Sequence, residues 1–226
     1  MQTFHKSPRS KGLIWLAWII AVLSVAMTFA AAWLAHHNNL SGMPTTVRQT
    51  VTYYLDELTS PLWAVMGALV IANKPRHANG WMLCAVGLLW SAKQFAGEYA
   101  IYSYFSLTTP APQAAVASWV ISWGWFAGFV PMIALFMTLP TGHLLSARWR
   151  IPLWIAEFGL SAICLNNAVQ VWPLRGRTLF TLTESDLMAH MGPAATVAFP
   201  IVLLGSLLLG IAVLLQIGRA SCRERV

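Results

Sequence analysis

Charge is scarce in this chain: Asp, Glu, Lys and Arg together make up 9% of its 226 residues, against about a quarter in an ordinary soluble domain. That deficit excludes a cytosolic enzyme with a solvated surface, and it excludes a disordered segment, which stays unfolded through high polarity. Cysteine is equally sparse. Cys84 and Cys164 fall in apolar stretches and Cys222 in a polar tail, so there is no CxxC pair, no metal-ligand spacing and no disulfide framework. Phosphate-loop, dinucleotide, HExxH and GxSxG patterns are all missing, so no catalytic constellation and no cofactor site is expected, and an enzyme reading is kept only within the alternative of a stand-alone membrane protein. His36 and His37 are adjacent, so on a helix they point in different directions and lack a convergent third metal ligand.

What the chain has instead is apolar bulk. Hydrophobic residues make up 58%, with 12 Trp and 10 Phe, and the mean hydropathy is +0.62. Six stretches are long enough to cross a hydrocarbon core of about 30 Å at about 1.5 Å per helical residue: residues 13–35, 59–73, 79–104, 114–139, 150–171 and 194–216. The expected fold is all-α, an integral membrane bundle of six transmembrane helices. It comprises a cytoplasmic segment over residues 1–12, the bundle over 13–216 and a basic tail over 217–226. The first span follows Lys6, Arg9 and Lys11 as a signal peptide would, but its apolar run of about 23 residues exceeds the usual signal length, so it reads as a retained anchor.

The net charge of +7 does not imply a nucleic-acid partner, because the basic residues sit in short clusters between apolar runs. Lys6, Arg9 and Lys11 precede the first span, Lys74 and Arg76 separate the second and third, Arg148 and Arg150 the fourth and fifth, and Arg219, Arg223 and Arg225 follow the sixth. Short loops rich in Lys and Arg stay on the cytoplasmic side, so both termini are expected there, in a multi-pass plasma-membrane protein whose first partners are lipids. Pro131 and Pro200 are interior to spans and remove one backbone hydrogen bond each, so both are expected to bend their helices.

Small residues at four-residue spacing mark close helix contacts: Gly124 and Gly128 with Ser118 and Ser122 in the fourth span, Ser206 and Gly210 in the sixth. The spacing does not distinguish contacts within one chain from contacts across a homodimer. Three charges fall inside spans. Lys93, Glu98 and Glu157 are costly in hydrocarbon and by default face the bundle interior or a water path, which makes them candidates for a sensing role. Against that, Lys93 and Glu98 are near enough to the outer interface to snorkel, and a five-residue separation does not place two side chains together on a helix. Asn166, Asn167 and Gln170 are expected to bond between helices.

Two separated stretches carry a family resemblance. PRHANGWMLCAVGLLWSAKQFAGEYAIY over residues 75–102 and LPTGHLLSARWRIPLWIA over 139–156 resemble the N-terminal membrane region of bacterial sensor histidine kinases common in actinobacteria. In that group a basic turn and GW open a membrane helix, a GEYA-like stretch ends it, and a later cytoplasmic loop carries an FP-(T/D)-G-x-L-x-S-x-RW-like motif. Here Leu139 stands for the usual Phe and Leu145 for a common Pro. The resemblance implies a membrane input module that dimerises in its parent kinase, with a response regulator reached only through the kinase region. The ten residues after Gln216 cannot hold a phosphoacceptor helix or an ATP-binding domain. The tail IGRASCRERV resembles an in-frame translation of a sequencing-library adapter, so the chain is expected to be a truncated reading frame. A stand-alone integral membrane protein, such as a small transporter or membrane enzyme, is the alternative.

Overall fold

The computed structural model describes residues 8–38, 59–139, 142–144 and 146–170, and within them the chain is all-helical with no strand. Five α-helices follow one another: α1 (Pro8–His37), α2 (Ser60–Asn73), α3 (Ala78–Ile101), α4 (Ala114–Thr138) and α5 (Arg150–Gln170). Residues Tyr102–Ser106 extend α3 by a π-helical turn, and Ala147–Trp149 form a 3-10 turn leading into α5. The expected sixth span, with Ser206 and Gly210, and the tail lie outside the described residues.

Prolines punctuate these helices. Pro61 stands in the first turn of α2, where a missing N–H is harmless. The caps Lys74 and Leu139 are extended, at ψ 83° and 145°, because the residue before a proline is pushed out of the helical region. Pro131 leaves α4 helical on both sides.

By length and composition, two described helices can cross a membrane: Lys11–His37 and Ala114–Thr138. Ser60–Asn73 is apolar but only 14 residues long, about 21 Å at the helical rise. The third helix is more polar for a structural reason. It sits at the centre, packed against α1, α2 and α4, where Asn79, Ser91, Gln94 and Glu98 are buried.

Burial on α1 runs opposite to that of a water-soluble helix. Its inward stripe is Ala17, Ala21, Ser24, Thr28 and Ala31, while Trp15 is 71% and Phe29 72% exposed, with Ile19, Val22 and Trp33 also outside. Small residues inside let backbones approach closely, and large apolar residues outside are stable only against something equally apolar. The α2–α3 contact is the tightest. A Cβ on Gly67 would lie 2.6 Å from the Gly80 carbonyl oxygen, and one on Gly87 would lie 2.5 Å from the Ala64 nitrogen.

The consecutive helices α3, α4 and α5 alternate in direction. Asn79 meets Thr138 at one end of the α3–α4 pair and Lys93 meets Gly124 farther along, so the pair is antiparallel. Trp119 reaching Ala168 and Cys164 reaching Trp123 make α4 and α5 antiparallel, whereas Thr28 with Ser91 and Asn38 with Glu98 make α1 and α3 parallel.

Candidate functional site

A polar seam runs along the α1–α3 contact. On α3 its positions are Ser91, Gln94 and Glu98, spaced three and four residues apart and therefore on one helical face. On α1 they are Ser24 and Thr28, with Asn38 just past the helix end. The Thr28 hydroxyl bonds back to the Ser24 carbonyl at 3.0 Å and lies 3.3 Å from Ser91 Oγ, so it ties the two helices together. Asn38 Nδ2 donates to Glu98 Oε2 at 2.5 Å and approaches the Glu98 carbonyl at 3.4 Å. Glu98 and Gln94 are each 5% exposed. Three buried oxygens of the seam, Ser24 Oγ, Asn38 Oδ1 and Gln94 Oε1, have no hydrogen-bond partner among the described residues.

Lys93 belongs to a different surface. Its stem lies against Gly124, where an added Cβ would come 3.0 Å from Lys93 Cβ. Its ammonium stands 5.2 Å from the centre of the Trp125 ring, a cation–π arrangement. Among the described contacts Lys93 thus faces α4 while Glu98 faces α1. Gly128, the other member of the glycine pair, receives the Trp90 indole: a Cβ there would fall within 2.0 Å of Trp90 Nε1, which donates to the Trp125 carbonyl at 3.3 Å. The described contacts of Gly124 and Gly128 are therefore within the chain.

Glu157 lies half-buried on α5 next to Ala156, itself part of the apolar cluster with Ile133, Met137 and Leu160. Its Oε1 is buried without a hydrogen-bond partner among the described residues. Two bonds run from α4 side chains to α5 carbonyls, Trp119 Nε1 to Ala168 at 2.7 Å and Ser122 Oγ to Asn167 at 3.5 Å, and Cys164 Sγ of α5 reaches the Trp123 carbonyl of α4. The Trp119 indole and the Ser122 hydroxyl are donors that the sequence reading, which named Asn166, Asn167 and Gln170 for bonds between helices, did not single out. No group of three or more His, Cys, Asp or Glu residues able to hold a metal occurs among the described residues.

At the opposite end of α3 the two resemblance-bearing stretches meet. The Thr138 hydroxyl donates to Asn79 Oδ1 at 2.7 Å, and Asn79 Nδ2 donates to the Thr138 carbonyl at 3.5 Å, both residues being buried. Gly142, at φ 80°, turns the chain back so that a Cβ there would come 3.1 Å from His77 Cε1. Positive φ favours glycine, which accounts for its place after the proline. Trp81 Nε1 closes the preceding turn on the Pro75 carbonyl at 3.1 Å. Comparisons with protein-family models, curated proteins and solved structures return no match.

Proposed function

We propose that the chain is the membrane-embedded input module of a bacterial two-component sensor histidine kinase. In this reading six transmembrane helices occupy residues 13–216, both ends are cytoplasmic, and the bundle sits in the plasma membrane without doing chemistry itself. The observation that carries the reading is the approach of the two resemblance-bearing stretches at His77 and Gly142, beside the hydrogen bond of Thr138 to Asn79. The lipid-facing bulk of α1 and the alternating helix directions support membrane residence. The basic clusters at Lys74 with Arg76 and at Arg148 with Arg150 support a cytoplasmic side for that end.

Mechanically, the central α3 touches three helices and joins the Glu98 seam at one end to the Asn79–Thr138 lock at the other. A stimulus that repacks the seam would tilt or rotate α3 and move the far turns, which is how helix shifts carry signals between sites. Reading the genomic locus past the Gln216 codon tests the proposal. It should continue in frame into a dimerisation helix with a phosphoacceptor His and an ATP-binding domain. A verified genomic read with the same IGRASCRERV codons followed by a stop would overturn it and favour a stand-alone membrane protein.

A further inference from the structure

We infer that Lys11 with Trp15 on α1, and Arg150 with Trp154 on α5, are two binding sites for anionic phospholipid, the cation holding the phosphodiester and the indole the glycerol region beneath it. This deepens the proposed function by naming a lipid class for the bundle, and it rests on that reading's membrane residence.

The members of each pair are four residues apart, which on a helix places both side chains on one face, about 6 Å apart along the axis. All of these side chains are exposed, Trp15 and Trp154 to 71% each. Beyond each pair the face continues in exposed apolar residues, Ile19 and Val22 on α1 and Phe158 and Leu165 on α5. Cation, indole and hydrocarbon in that order match a phospholipid read from headgroup through glycerol to acyl chain. A free phosphate would need neither the indole nor the apolar stripe.

Helix direction brings the two pairs to one end of the bundle. The α1 helix runs parallel to α3 through Thr28 with Ser91 and Asn38 with Glu98, and α3 and α5 are each antiparallel to α4. All three helices therefore start on the same side. Lys74, Arg76 and Arg148 are exposed there as well. The acids of the described residues lie elsewhere, Glu98 at the far end of α3 and Glu157 two turns into α5. Among the described residues none of these basic side chains is held in an ion pair. Exposed charge of one sign beside exposed indoles is complementary to a lipid of the opposite sign, and each basic residue at such a surface adds to the attraction.

The full chain is reconstituted into lipid discs of phosphatidylcholine, with or without phosphatidylglycerol, and unfolded thermally while circular dichroism is followed. Phosphatidylglycerol should raise the midpoint by about 3 °C, the shift that mass-action stabilisation gives a chain of this size. The double variant Lys11→Gln with Arg150→Gln should lose most of that rise. Lys74→Gln with Arg76→Gln removes the same charge from the same end without touching either pair, and it should lose less. Inorganic phosphate added to phosphatidylcholine discs at matched ionic strength should give no rise. Equal midpoints with and without phosphatidylglycerol, losses as large in the Lys74 and Arg76 variant, or a comparable rise with inorganic phosphate would overturn the sites. A chain that enters phosphatidylcholine discs and ignores phosphatidylglycerol contradicts the lipid sites alone, whereas one that enters no disc contradicts membrane residence and the sites together.

Discussion

Asn79 and Thr138, 59 residues apart in sequence, hold each other through a 2.7 Å hydrogen bond at one end of the α3–α4 pair. Both are buried, so the bond is made where water cannot replace it. It fixes the start of α3 against the end of α4, and with them the two turns that carry His77 and Gly142.

Thr138→Val keeps the shape of the side chain and removes the donor, which orphans Asn79 Oδ1. The expected cost is about 1–3 kcal/mol, the penalty of a buried acceptor left unpaired. Thr138→Ser should retain most of the stability. Denaturation in mixed micelles, read by circular dichroism, checks the pair; equal losses in both variants would assign the effect to the missing methyl group instead.

Glycine substitutions should divide by location. Gly67→Ala and Gly87→Ala force a Cβ into backbone atoms of the neighbouring helix at 2.6 Å and 2.5 Å, so α2 and α3 must separate. Gly12→Ala meets nothing within 4 Å and lies inside a helix, where the change should stabilise by about 0.5–1 kcal/mol. Folded yield and unfolding midpoint should therefore fall for the first two variants and hold or rise for the third. A ranking in any other order would contradict the described α2–α3 contact.

Lys93 and Glu98 should behave as independent sites. They face α4 and α1 respectively, so in a double-mutant cycle Lys93→Met and Glu98→Gln are expected to add within about 0.5 kcal/mol. A larger interaction energy, measured on purified protein, would mean that the two charges share a site after all. In the intact kinase that the proposed function expects, Glu98→Gln should alter signalling output at normal membrane abundance, with abundance measured in the same cells.

Topology is open to chemical labelling. Single cysteines at Asn73 and Ser146, in a background without the native cysteines, should resist a membrane-impermeant thiol reagent in intact cells, because the proposed topology puts the basic turns they flank on the cytoplasmic side. A cysteine at Ser185 should react. Reaction at Ser146 from the outside would contradict an even number of spans.

Helix positions were legible in the sequence because proline and glycine interrupt long apolar runs: the spans expected at 59–73, 114–139 and 150–171 lie within a residue or so of α2, α4 and α5. The third was read as 79–104 and continues past α3 only as a π-helical turn. Helix faces were harder to read. In a run such as α1, apolar on every side, no polar stripe points inward, and the usable signal is the recurrence of small residues at Ala17, Ala21, Ser24, Thr28 and Ala31. The same kind of pattern, Gly80, Cys84, Gly87 and Ser91, marks the buried face of α3, and the glycine search centred on α4 passed over it.

The amino-acid sequence by itself determined the all-helical character of the described residues, the ends of α2, α4 and α5 and the presence of charge within apolar segments, because those follow from local chemistry: backbone hydrogen bonding, proline geometry and the cost of a charge away from water. Only the tertiary structure decided which charges and oxygens share a surface. Lys93 and Glu98 are near neighbours in sequence yet turn to different helices, while Asn38 and Glu98, 60 residues apart, are in contact. Side-chain direction around a helix changes by about 100° per residue, so a partner is chosen by which neighbouring helix lies on that side. That choice is made by the close approach of glycine, alanine and serine surfaces, whose pairing is a property of the assembled bundle rather than of any one span.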